Sequence, residues 1–124
     1  MEDKKVRILV VDDSKECREI CQRVLQKEGY GVQSVDSAKK ALDELETTRF
    51  DLVITDLKMP EMDGLSLLKK VKEIDPKIFV IVMTGYPREE SKTQAIELGA
   101  SGYLAKPLDV SELVSVVKGC LKRR

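Results

Sequence analysis

Five times along the chain a short apolar run is followed by a segment with apolar residues at helical spacing, and the connections between them are only a few residues long. This alternation restricts the possible folds more than any other feature of the sequence. Strands separated by helices run parallel, and a parallel sheet is covered by helices on both faces, so its strands read as nearly unbroken apolar runs. Right-handed crossovers leave few topologies. The expectation is an α/β fold: a doubly wound sheet of five parallel strands with five helices distributed over both faces.

The individual segments follow from periodicity and punctuation. Val6 to Val11 is a strand, too short for a helix. From about Ser14 to Glu28 a helix carries Cys17, Ile20, Cys21, Val24 and Leu25, and Gly29 ends it. Val32 to Val35 is a weaker strand. Ser37 then caps a helix with Ala38, Ala41, Leu42 and Leu45 on one face. "DLVIT", Asp51 to Thr55, is the third strand, followed by the loop "DLKMPEMDG". Leu65, Leu68 and Val71 mark a third helix, which Pro76 closes. Ile78 to Thr84 is the most apolar strand. A less apolar helix runs from about Arg88 to Leu98 and stops at Gly99. "SGYLA" is the last strand. Asp109, with Glu112 three residues on, forms a capping box for the final helix, whose expected buried stripe is Val110, Leu113, Val114, Val117 and Leu121. No linker or internal repeat interrupts the pattern. One domain over residues 1–124 is expected, with no second domain after Leu121.

Charge and composition exclude several classes. The 22 basic and 22 acidic residues cancel, which gives no overall pull toward nucleic acid or an anionic membrane. No stretch approaches the ~20 apolar residues of a membrane span, and the N-terminus lacks a secretory signal. A cytoplasmic protein is expected. Histidine is absent, so the chain has no Ser-His or Cys-His pair and no phosphohistidine of its own. Cys17, Cys21 and Cys120 lack C-x-x-C spacing and read as small buried hydrophobes.

Open parallel sheets bind ligands at the carboxyl ends of their strands, where strand order reverses. The residues at those ends are Asp12 and Asp13 after strand one, Asp56 after strand three, Thr84 after strand four, and Tyr103 to Lys106 along strand five. Either aspartate of the first pair could cap the following helix, as could Ser14. In the 2-1-3-4-5 order common to such sheets, however, strands one and three are neighbours and three carboxylates converge. Two unit charges roughly 4 Å apart repel by about 4 kcal/mol at an effective dielectric near 20. Such a cluster therefore calls for protonation or a cation. Carboxylate oxygens without histidine or thiolate favour Mg²⁺. A dication, the Lys106 ammonium, the Thr84 hydroxyl and one further carboxylate suit a phosphoryl group, with Asp56 attacking in line.

"VDDS", "DLKMPEMDG", "MTG" and "GYLAKP", in that order, resemble the receiver domain of two-component response regulators, and the resemblance spans essentially the whole chain. It implies the flavodoxin-like 2-1-3-4-5 sheet and makes Asp56 the phosphoacceptor. Asp13 would bind Mg²⁺ directly, Asp12 directly or through water, and the backbone carbonyl of Lys58 would be a further metal ligand. Lys106 would pair with the phosphoryl group, across a cis bond to Pro107, and Thr84 and Tyr103 would be the switch pair. The implied donor is a sensor histidine kinase or histidine phosphotransfer protein. The implied readout is a change in the face of helix 4, strand 5 and helix 5, acting on a partner or output domain that the sequence does not name. The same face is where a homodimer would form. Direct nucleic-acid binding and membrane association are not expected of this chain.

By this resemblance the chain is no enzyme beyond its own phosphorylation and dephosphorylation. An aspartyl-nucleophile phosphatase needs a second acid two residues after the nucleophile, where Lys58 stands. A flavin binder would not place "DDSKE" after strand one. An NTPase would carry G-x-x-x-x-G-K-[ST], which does not occur. A receiver-like module independent of phosphorylation has no need of the full acidic set. Lys58 and Tyr86, two residues after Asp56 and Thr84, are bulky enough to shield an acyl phosphate from water.

Overall fold

The computed structural model describes residues 5–123. Ten elements alternate: β1 (Arg7–Val11), α1 (Lys15–Lys27), β2 (Gly31–Val35), α2 (Ala38–Thr47), β3 (Leu52–Asp56), α3 (Gly64–Ile74), β4 (Phe79–Thr84), α4 (Glu89–Glu97), β5 (Gly102–Ala105) and α5 (Val110–Leu121). The strands make one parallel sheet in the order β2-β1-β3-β4-β5. Strands β1, β2, β4 and β5 end at the expected residues, Val11, Val35, Thr84 and Ala105, and other boundaries shift by about a residue.

Alternating side chains of the central strands feed two separate cores. Leu9, Val11, Val53, Val80 and Val82 face α2, α3 and α4, meeting Ala41, Leu68, Val71 and Ala95. Ile8, Val10, Ile54, Ile81 and Met83 face the other way, against Cys21 and Leu25 of α1 and Leu113, Val117 and Cys120 of α5. Burial on both faces accounts for the strands' continuous hydrophobicity, and each fully buried Val, Leu or Ile contributes about 1.5–3 kcal/mol. Cys21 and Cys120 are core residues and Cys17 is half-buried; all three are free thiols.

Four helices begin on a side-chain cap. Ser14, Ser37, Asp63 and Asp109 each accept a hydrogen bond from the amide three residues on. Such a cap is worth about 1 kcal/mol. Val110 departs from its expected place in the buried stripe and is 51% exposed. As the first residue of α5 it lies at the carboxyl edge of the sheet, where no strand remains to cover it.

Candidate functional site

Val11 pairs with Thr55 across β1 and β3, so Asp12 and Asp56 emerge side by side at the switch point. Asp12 is fully buried, Asp56 nearly so, and Asp13 exposed. One carboxylate oxygen from each of the three lies within 4.8 Å of the others. Neither aspartate of the first pair caps α1, because Ser14 does. Asp12 is instead fixed in place: its Oδ1 accepts from the Ser14 amide at 2.9 Å, and its carbonyl accepts from Arg18 Nη1 at 2.7 Å.

Lys106 reaches this cluster from the far side of β4. Its amide donates to the Thr84 carbonyl at 2.8 Å, and its bond to Pro107 is cis. The ammonium donates to Asp12 Oδ2 at 2.7 Å and to Asp56 Oδ2 at 3.2 Å. The unequal distances match the electrostatics. Burial pushes the Asp12 carboxyl up, but Lys106 and the Ser14 amide outweigh it and leave Asp12 below the ordinary carboxylate range. Burial and the charge on Asp12 hold Asp56 above that range, only partly offset by Lys106. Burial works against the ammonium as well, yet Asp12 raises Lys106 above the ordinary lysine value. The result is an ionised Asp12–Lys106 pair beside a more basic, nearly buried Asp56 carboxylate. That is a suitable nucleophile.

The loop after Asp56 is set by a close approach. A Cβ on Gly64, the first residue of α3, would collide with the Asp56 carbonyl oxygen and lie 2.8 Å from Leu57 Cα. The Gly64 amide meanwhile donates to the Leu57 carbonyl at 2.8 Å. Gly64→Ala is therefore expected to cost about 1–3 kcal/mol, the range for overpacking, and toward its upper end because the atoms met are backbone. The urea midpoint measures it, and an unchanged midpoint would mean that α3 can retreat freely. Within the same loop Glu61 adopts a left-handed φ of 71°, uncommon for a residue with a Cβ.

Around the mouth, Lys58 and Tyr86 meet: the Lys58 ammonium sits 4.7 Å from the Tyr86 ring centroid. The Lys58 amide donates to Asp56 Oδ1 at 3.4 Å. A cavity of about 230 Å³ opens between these loops, lined by Leu57, Lys58, Asp63, Thr84, Tyr86 and Arg88 among others. Thr84 is buried, and its Oγ1 accepts from the Tyr86 amide at 3.0 Å. Tyr103 is half-buried against the α2–α3–α4 core, with its hydroxyl at the start of α4, where it meets the Arg88 amide and Ser91.

Asp12, Asp13, Asp56 and Lys106 thus come together, Thr84 and Lys58 border them, and Tyr103 stands one element away. Sequence reading did not single out Ser91 or Arg88, because the contact joining them to Tyr103 crosses between elements. The requirement for glycine at position 64 has one signal in the sequence, its place just after an aspartate at a helix start.

The model of the response regulator receiver domain matches residues 8–118. Sporulation initiation phosphotransferase F of Bacillus subtilis is 41% identical over 112 residues, 90% of either chain. Transcriptional regulatory protein ZraR of Escherichia coli K12 is 40% identical over 116 residues, 94% of this chain; the chain spans about a quarter of that relative's length, 26%. Among solved structures, a CheY-like receiver domain protein from Methanospirillum hungatei superposes with a TM-score of 0.92 at 32% identity, covering 97% of this chain and 96% of its own. The beryllofluoride-activated NtrC4 receiver domain dimer gives 0.90 at 29% identity, covering 94% and 97%.

Proposed function

This chain belongs to the response regulator receiver-domain family, and we propose that it is a signalling switch thrown by phosphorylation of Asp56. The observation that carries the proposal is the Asp56 carboxylate at the end of β3, 3.2 Å from the Lys106 ammonium and with an oxygen within 4.8 Å of the Asp12 and Asp13 carboxylates. An oxygen of Asp56 forms the new O–P bond while the donor's P–N bond breaks, or the P–O bond of a small acyl phosphate. Lys106 then faces the added charge, and the Thr84 hydroxyl has its hydrogen free to donate to a phosphoryl oxygen. The proton count needs no base, because Asp56 attacks as the anion.

The donor set suits a hard cation: three carboxylate oxygens within 4.8 Å of one another, with no imidazole in the chain. Asp12, Asp13 and Asp56, with the Lys58 carbonyl, would hold Mg²⁺, which when bound supplies positive charge to the phosphoryl oxygens. The phosphoryl source is a histidine kinase or histidine phosphotransfer protein. The readout is a population shift at the face of α4, β5 and α5, toward a partner, an output domain or a second copy. Ile96 on α4 is an exposed apolar side chain. The chain turns over only its own phosphate: the position two after Asp56 is Lys58, which offers no carboxylic acid to a leaving group. We place the switch in the cytoplasm with its phosphoryl donor; no described helix is long and apolar enough to cross a membrane.

The test is incubation with Mg²⁺ and a small acyl-phosphate donor. A mass gain of one PO₃ group, labile to base and prevented by EDTA, is expected. A chain that gains no phosphate under these conditions would defeat the proposal.

The Lys58–Tyr86 contact covers the approach of water to the acyl phosphate. Replacing both with alanine should shorten the phosphate's lifetime several-fold, as timed by loss of the mass adduct. Unchanged decay would show that neither side chain shields it.

A further inference from the structure

The start of α4 is built unlike the other helices. Among the described residues its N-cap, Arg88, makes no side-chain capping bond. The Arg88 amide instead donates across to the hydroxyl oxygen of Tyr103 on β5, at 3.4 Å. Ser91, one turn into the helix, donates its hydroxyl hydrogen to the Arg88 carbonyl at 3.0 Å and lies 2.9 Å from the Tyr103 hydroxyl. A serine hydroxyl has one hydrogen to give. With that hydrogen on the Arg88 carbonyl, the Tyr103 hydroxyl must be the donor to Ser91 Oγ. The three bonds close a ring: Arg88 amide to Tyr103, Tyr103 to Ser91, Ser91 to the Arg88 carbonyl. Tyr103 therefore acts as a cap supplied by a strand.

The same short loop is held at its other end by Thr84, whose Oγ1 accepts from the Tyr86 amide. The family resemblance makes Thr84 and Tyr103 a switch pair, with the ring turning inward as the threonine moves to the phosphoryl group. The two thus accept from the amides of Tyr86 and Arg88, two positions apart. Tyr103 cannot turn inward without breaking both of its ring bonds, and Thr84 drawn toward Asp56 strains the other end of the loop.

We infer that the Tyr103–Ser91–Arg88 ring is a latch on the resting conformation, with Ser91 the residue that sets its strength. This rests on the phosphorylation-switch reading above. α4 is the element such a latch can govern: nine residues, one of them buried, so little packing holds it otherwise. Opening the latch frees the loop and the first turn of α4 together. Serine here is a positioning residue, acting through Tyr103 and touching neither phosphate nor metal.

The latch predicts how tightly the protein takes up a phosphoryl mimic. A ligand that binds only the open conformation is weakened by the reciprocal of the fraction of chains that are open. A net hydrogen bond corresponds to about a three- to ten-fold change in that balance. Beryllofluoride with Mg²⁺, titrated into the intact protein and followed by amide chemical shifts, is the probe. Ser91→Ala should bind about three- to ten-fold tighter, and Ser91→Thr, which keeps the hydroxyl, should match the wild type. In a Tyr103→Phe background Ser91→Ala should add nothing. Without any mimic, the Arg88 amide should exchange faster in Ser91→Ala and be restored in Ser91→Thr. If wild type responds to beryllofluoride while Ser91→Ala binds equally or more weakly, or acts the same without the Tyr103 hydroxyl, the latch is wrong and the switch stands. If wild type ignores beryllofluoride, the switch reading falls and the latch falls with it.

Discussion

Lys106→Met is expected to lower stability at neutral pH by about 3 kcal/mol, the scale for removing one partner of a buried charge cluster. Its ammonium is the one positive side chain seen in contact with both Asp12 and Asp56, among the described residues. A methionine of similar length leaves two carboxylates confronting each other under the strand ends. The pH dependence has a definite sign. In the wild type Asp12 sits below its unfolded value, so its contribution is present above the ordinary carboxylate range and is lost as pH falls through the depressed value. Without Lys106, burial dominates at Asp12 as it already does at Asp56, and both carboxyls rise. The folded variant then binds protons that the unfolded chain does not, so its stability increases as pH falls from 7 toward about 5. Urea midpoints of the two proteins should converge over that window. A constant gap would mean that the lysine contributes packing rather than neutralisation.

Asp56→Asn should reduce phosphoryl incorporation from a small acyl-phosphate donor at least about a hundredfold, the scale for losing a nucleophile. The amide keeps the shape, retains a hydrogen-bonding oxygen and has no anionic oxygen to attack. Because the Asp56 carboxyl is raised in the folded chain, its ionisation at neutral pH opposes folding. The asparagine variant should therefore be at least as stable as the wild type in urea. That pairing separates loss of chemistry from loss of structure. A labelled Asp56→Asn protein would move the acceptor elsewhere, with exposed Asp13 the first neighbouring carboxylate to examine.

The sheet was legible because each of its central strands is buried on both faces, which leaves no polar alternation to confuse strand with loop. Strand ends were harder to read. Asp56 closes β3 by pairing with Met83, although its side chain belongs to the site. The convergence of Asp12, Asp13 and Asp56 could be inferred once β1 and β3 were neighbours, since strand ends carry their side chains with them. Three features could not be inferred this way. The preference of Lys106 for Asp12 depends on relative depth: 0% exposure against 8%. The collision that reserves position 64 for glycine depends on how close α3 comes to the Asp56 carbonyl. The hydrogen-bond ring at Arg88 joins side chains of β5 and α4, twelve positions apart. Val110 shows the opposite error: its helical spacing matched the stripe, but a helix overhanging its sheet buries only the turns that have a strand beneath them.

The contact between Lys106 and Asp12 spans 94 positions of sequence, so the pocket's cation and its most buried anion come from opposite ends of the fold. During synthesis the first three strand–helix units emerge with every carboxylate and no counter-charge. A chain lacking the fifth strand would hold these carboxylates without the ammonium that neutralises them. The pocket's charge balance is complete only once the fifth strand has delivered Lys106.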